Sequence, residues 1–289
     1  MKAIGISTDC MCDLPSEYFA ENGIEVLQFY VYTATGRFWT DSEITTDNIV
    51  EYFGAGNAFL RSGVPEAEEC RRYFEGLLKR YDHVVHIAAS DKIGLSYPNA
   101  KTALELLGED ARRVTLVNSG SMSAGLGHMV LRAAALRDTG AAADEIAAAC
   151  GALSGKLSVS FIVPNADYLC RVGYAGQGLK NLCDLFKLHP VICTTNGRLA
   201  IKGFYAGSYE NALMRYLRRT LKYRRIDKSR LYITHAGCSG ELLARMRKRA
   251  DRLCGFEQIL VTKASAFISG CCGPGTAGVL VVRRRGSTE

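Results

Sequence analysis

Two adjacent thiols and a scattered set of hydroxyls are the side chains of this 289-residue chain with the most chemistry in them. Cys271 and Cys272 open a "CCGPG" bend, followed by a run of valines. A cysteine works as a nucleophile only as thiolate, and a nearby cation, histidine or helix N-terminus must lower its pKa to make one. No charged residue stands beside this pair in the sequence, so Cys271 is expected to fill an apolar wall. A thiol-dependent enzyme is the alternative that a depressed thiol pKa would support. The hydroxyls sit in polar turns: Ser62 in "RSGVP", Ser90 and Ser96 in "SDKIGLSY", Ser119 in "NSGSMS". Turns that present hydroxyls and free amides at helix starts suit a small anionic group, although serine also caps helices for purely structural reasons.

Several other chemistries lack their residues. There is no G-x-x-x-x-G-K-[ST] phosphate loop and no G-x-S-x-G nucleophile elbow. Cys10-x-Cys12 and the Cys271-Cys272 pair do not have zinc-ligand spacing, and the five histidines are scattered. No metal and no cofactor is expected.

The elements that must place these turns alternate between strand and helix over the first two-thirds of the chain. "KAIGIST", "IEVLQFYVYT", "HVVHIAAS" and "RVTLVNS" read as strands. "PSEYFAENG", a segment from Thr46 or Asp47, "EAEECRRYFEGLLKRY", "NAKTALELLG" and "SAGLGHMVLRAAALRDTG" read as helices. On the third of these helices Cys70, Tyr73, Phe74, Leu77 and Leu78 share one face. Such alternation predicts a parallel sheet covered by helices, and ligands bind at the carboxyl ends of its strands, where the polar turns lie. After "ADEIAAACGALSGK" and "LSVSFIV" the pattern changes: "HPVICTTNGRLAIKGFYAG" is a hairpin closed at Asn196-Gly197. The expected fold is α/β, an N-terminal three-layer parallel-sheet domain (1–155) and a C-terminal α/β domain with a mixed or antiparallel sheet (156–289).

Composition is that of a soluble globular chain, 48% apolar and 22% charged. No apolar run approaches the roughly 18 residues of a membrane span, and the start does not read as a secretion signal. Eleven cysteines are an odd number, and several, such as Cys150, Cys193 and Cys254, lie in apolar segments as core residues do. A reducing cytoplasm is expected. The net charge of +7 is concentrated in "MRYLRRTLKYRRIDKSR" and "ARMRKRADR". These read as solvated helix faces, with Tyr216 and Tyr223 beside Leu213, Leu217 and Leu221 in a core stripe. An anionic membrane surface is a transient partner such faces could take, whereas nucleic-acid binding by a basic scaffold is the weaker reading.

The ordered series of turns resembles the DegV family of bacterial fatty-acid-binding proteins over nearly the whole chain. "ISTDCMCDLP" is similar to the family's S-T-D-S-x-x-D-L-P opening, "RSGVP" to T-S-Q-P, and "SDKIGLSYPNA" to S-S-x-L-S-G-T-Y-Q-S-A. "VNSGSMSAGLG" and "GCCGPGTAGV" resemble the D-S-x-x-x-S-x-G-x-G and H-x-G-P-G-x-x-G-V segments. The resemblance implies a binding protein without catalysis of its own. Its long apolar tunnel between domains would hold a fatty acid, and the acid would be presented to a separate fatty acid kinase that makes an acyl phosphate. It also implies where the carboxylate would be held. Ser62 keeps the family's hydroxyl, but Gly94 replaces a serine, Cys271 a histidine and Tyr174, in "RVGYAGQG", an arginine. Ser96, Arg171 or Tyr174 would then substitute, or the head group differs. The expected ligand-binding set is Ser62, Ser90, Gly94, Ser96, Arg171, Tyr174, Cys271 and Gly273.

Overall fold

The computed structural model describes residues 3–57, 60–222 and 225–284. The first lobe runs through β1 (Ile4–Asp9), α1 (Ser16–Glu21), β2 (Ile24–Leu27), β3 (Tyr30–Thr33), β4 (Gly36–Trp39), α2 (Thr46–Gly54), β5 (Arg61–Gly63), α3 (Ala67–Leu78), β6 (His83–Ala88), α4 (Ser96–Leu106), β7 (Val114–Asn118), α5 (Ala124–Asp138) and α6 (Ala143–Ser154). Strands β2-β1-β6-β7 form an all-parallel sheet. Helices α3 and α4 pack together against it, as do α5 and α6. A parallel sheet needs apolar cover on both faces, and Ile6, Val84, Val85 and Ile87 are fully buried accordingly.

The second lobe follows as β8 (Leu157–Ile162), α7 (Asp167–Arg171), α8 (Gln177–Phe186), β9 (Leu188–Thr195), β10 (Arg198–Ala206), α9 (Tyr209–Leu221), β11 (Arg230–His235), α10 (Gly240–Cys254), β12 (Gln258–Lys263), α11 (Ala266–Cys272) and β13 (Ala277–Val282). Its six strands lie in the order β10-β9-β8-β13-β11-β12, antiparallel except for β11 with β12. Residue parity sorts the two faces. Leu231, Ile233, Val279 and Val281 join Leu213, Tyr216 and Leu217 of α9 and Met246 of α10 in one apolar cluster. Tyr232, Leu280 and Val159 point the other way and share a cluster with Ile6, Leu126 and Met129 of the first lobe. The arginine-rich helices thus bury the leucine stripe read from the sequence; Tyr223 lies outside the described residues. The Asn196-Gly197 turn forms as its residues demand, with φ of 50° and 77°, the two left-handed positions of a tight hairpin.

Three sequence expectations change. "IEVLQFYVYT" is two strands, because the chain bends at Gln28-Phe29 to bury Phe29 completely, its ring edge-on to Phe267 at 5.1 Å. β2 stays in the parallel sheet, whereas β3 pairs with β4 and β5 in a small antiparallel sheet. "RSGVP" is no turn at a strand's end: Arg61–Gly63 is the edge strand β5, with Ser62 opposite Val31. Cys193 and Cys254 are half-buried rather than core.

α11, late in the chain, packs on α2, β3 and β5 of the first lobe. Its start is held by Asp13, whose Oδ1 accepts from the Ser265 N–H at 2.7 Å and whose Oδ2 accepts from Ser123 Oγ at 2.5 Å. Asp13 is buried, and burial pushes its carboxyl from the usual 3.8 up to about 7 despite those donors. The fold therefore favours the uncharged form. Asp13's contribution to stability is fully present below about pH 4 and is lost as pH rises through about 7. Urea midpoints measured across that window should show the wild type losing stability relative to Asp13→Asn as pH rises. Parallel curves for the two proteins would refute the assignment.

Candidate functional site

A cavity of about 830 Å³ lies between the lobes, within the range of small-molecule sites. One wall is a row of residues in register across five strands: Ile201, Ile192, Phe161, Gly278 and Thr234. Neighbouring strands lie about 4.8 Å apart, so the row extends roughly 19 Å. Gly278, without a side chain, leaves the row low between Phe161 and Thr234. The opposite wall comes from the first lobe. Phe53, Leu60 and Val64 border the small sheet, Ile93 lies in the loop after β6, and Met11 and Met122 follow β1 and β7. Phe267 and Ile268 of α11 close one side. The lining is mostly apolar, so the space suits a hydrocarbon, with Ser123, Ser160, His235 and Thr276 among its polar members.

Seven of the eight residues singled out from the sequence border this cavity: Ser62, Ser90, Gly94, Ser96, Arg171, Tyr174 and Cys271. Gly273 does not. It sits at φ 79°, with a Cβ built there only 2.1 Å from the ring of Tyr168. The Gly-Pro-Gly bend is thus a packing device, shaped so that Tyr168 can lie against it. Tyr168 in turn stacks edge-on to Phe53 at 4.9 Å, and the Arg171 guanidinium covers both rings at 5.1 and 5.6 Å. Ser119 is buried away from the cavity, its hydroxyl donating to the Ser121 carbonyl.

The serines do not cap helices. Ser62 donates to the Phe267 carbonyl at 3.2 Å, which ties β5 to α11. Ser90 donates to the Gly197 carbonyl at 2.7 Å, and Lys92 Nζ reaches the Asn196 carbonyl at 3.1 Å, so the β9–β10 hairpin tip is docked on the first lobe. Ser96 donates to Asp9 Oδ2 at 2.7 Å, and the same oxygen accepts the Ala89 N–H at 2.7 Å. Asp9 is completely buried and lies 3.4 Å from His86 Nε2. His86 Nδ1 bonds Ser7, which bonds Tyr73. This buried polar chain fixes the loop of residues 89–96 that borders the cavity. Sequence reading missed Asp9 as a positioning group, although it stands inside the quoted "STD". It also missed Ile192, Leu199 and Ile201, whose signal was the alternation along "HPVICTTNGRLAIKGFYAG".

Cys271 donates to Ser62 Oγ at 3.4 Å, and burial pushes its thiol up. Cys272 is pushed up further by burial. Both sulfurs are free thiols, and neither environment favours a thiolate. Burial and the neighbouring Cys271 also raise the Tyr174 phenol. Among the described residues no cluster of histidine, cysteine and carboxylate could hold a metal ion.

Comparison with known proteins gives a consistent set. The model of the DegV family, described as uncharacterised protein, matches residues 3–284. A DegV domain-containing protein of Deinococcus radiodurans is 24% identical over 285 residues, 96% of this chain and 97% of its own length. Among solved structures, a DegV family protein from Thermus thermophilus, described for its fatty acid binding, superposes with a TM-score of 0.83 at 27% identity, covering 98% of this chain and 100% of that one. The fatty acid kinase (Fak) B3 protein of Streptococcus pneumoniae, loaded with linoleic acid, superposes with a TM-score of 0.82 at 17% identity over 98% and 100% of the two chains.

Raised thiols make a testable difference. Iodoacetamide should label Cys271 at neutral pH more slowly than it labels free cysteine. Peptide mapping that finds Cys271 alkylated faster than the free amino acid would restore the thiolate-enzyme reading.

Proposed function

The chain belongs to the DegV family, and from that premise we propose that it is a lipid carrier, holding a fatty acid or related single-chain lipid in the slot between its lobes. The observation that carries this reading is the in-register apolar row Ile201, Ile192 and Phe161, continued by Gly278, facing Phe53, Leu60 and Met122 across an 830 Å³ space. Burying about fifteen methylenes at about 0.8 kcal/mol each contributes on the order of 10 kcal/mol. That offsets the loss of translational and rotational freedom on binding, which costs several kcal/mol or more. The tail therefore supplies affinity and the head group orientation. The fatty acid binding of the Thermus relative supports the same ligand class.

The carrier has no catalysis of its own: raised thiols at Cys271 and Cys272 support that part of the reading. Presentation of the lipid to a separate kinase is a separable part, supported by the name of the pneumococcal protein. It requires a carboxyl head group reachable from the mouth. Contact with a membrane surface has support in α8, which exposes Leu182, Leu185 and Phe186 and is followed by Lys187. Nucleic acid is not a partner in this reading. The basic helices α9 and α10 cover the sheet face turned away from the slot, and Arg245 already pairs with Glu210. Cytoplasmic residence fits eleven free thiols. No helix among the described residues is long and apolar enough to cross a membrane.

Native mass spectrometry of protein purified from its expression host should find a co-purifying single-chain lipid. Ile201→Trp, which fills the slot beside the hairpin, should cut that loading several-fold while the circular dichroism spectrum stays unchanged. Equal loading of a correctly folded Ile201→Trp protein would move the ligand out of the slot.

A further inference from the structure

The walls of the slot differ in thickness. Strands β8, β13 and β11 are backed by α9 and α10, and α11 is tied down through Ser265 and the Phe267 carbonyl. The far end of the β9–β10 hairpin has no such backing. β9 pairs with β8 only at Val191, Ile192 and Cys193, so the two-stranded ribbon from Thr194 to Leu199 runs on past its neighbour. α9 covers β10 at Tyr205, whose ring meets Tyr216 at 6.5 Å, whereas Arg198, Ala200 and Lys202 are exposed. On the other face of the ribbon Leu199 and Ile201 line the slot. A single layer of chain separates the cavity from solvent there.

The ribbon is also jointed at its base and fastened only at its tip. The pairing of β10 steps from Ile201 opposite Ile192 to Gly203 opposite Val191, which leaves Lys202 as an extra residue. Such a bulge bends its strand and breaks the ladder locally. A Cβ built at Gly203 has no neighbour within 4 Å, so nothing crowds the joint. At the tip, Ser90 donates to the Gly197 carbonyl at 2.7 Å and Lys92 Nζ to the Asn196 carbonyl at 3.1 Å. Asn196 and Lys92 are exposed, so on release water replaces the protein partners at little net cost. Leu199 is the apolar pin of the ribbon, half-buried against the cluster shared by both lobes.

Building on the lipid-carrier reading, we propose that the outer part of the β9–β10 hairpin, Thr194 to Ala200, is a flap over the slot, and that lipid enters and leaves beneath it. The Ser90–Gly197 and Lys92–Asn196 bonds close the flap, and their release opens it. Swinging a side wall away admits the tail along its length instead of threading it end-on. Leu199 gains contact with a bound tail only when the flap is down, so loading itself favours the closed state.

Locking the flap tests this. A Cβ built at Gly197 lies 2.7 Å from Ser90 Oγ, so cysteines at the two positions fall within the reach of a disulfide. Uptake of cis-parinaric acid, and its release into excess palmitate, are timed by fluorescence in oxidised and reduced Ser90→Cys/Gly197→Cys. Wild type, with its own eleven free thiols, goes through the same oxidation as the control. Oxidation should slow both steps at least about ten-fold in the double-cysteine protein alone, and reduction should restore them. Ser90→Ala/Lys92→Ala, which needs no new bond, should speed release about ten-fold with an unchanged circular dichroism spectrum. Equal rates in the oxidised and reduced double-cysteine protein would overturn the flap and leave the carrier intact, with entry moved to another wall, such as the one where Val172 and Tyr174 are exposed. Release from Ser90→Ala/Lys92→Ala at the wild-type rate would overturn it too. If wild type retains no cis-parinaric acid at all, the carrier reading itself fails, and the flap with it.

Discussion

A sheet buried on both faces must find two apolar partners, and here the second partner is incomplete. One face of the six-stranded sheet packs tightly under α9 and α10. The other meets the first lobe where Tyr232, Leu280 and Val159 stand, but across the row from Ile201 to Thr234 the facing residues stop short. Period-two alternation puts those residues on one face, and Ile201, Ile192 and Phe161 are apolar there. The uncovered row is what gives the molecule a hydrocarbon-lined interior.

Polar satisfaction is the counterpart of that constraint. The loops that border the slot run close to buried space, so their hydroxyls are tied to protein acceptors instead of being left for solvent. Asp9 anchors the loop of Ser96 and Ala89, Asp13 anchors the start of α11, and Ser62 fastens β5 to Phe267. These bonds shape the slot and hold its loops in place.

Much of this could be read from the residues. Helix and strand alternation, the Asn196-Gly197 turn and the leucine stripe of α9 are local patterns, and local patterns survive folding. The turns bordering the slot were found through polar residues at strand ends. Less legible was anything set by long-range packing. Nothing local says that Phe29 leaves the sheet to meet Phe267, 238 residues later. Nothing local separates Gly273, which accommodates the Tyr168 ring, from Gly278, which opens the slot, because both are simply glycines in a glycine-rich segment. Ser62 was read as a loop hydroxyl, although its strand is defined only by pairing with β3.

One feature of the interior bears on how the whole chain melts. The largest apolar cluster is shared: Val159, Tyr232 and Leu280 from the later strands sit among Ile6, Leu126 and Met129 from the earlier ones. Pulling the halves apart would strip water-excluding contacts from both at once. Although the strands are divided among three sheets, neither half keeps a finished interior when the other is lost.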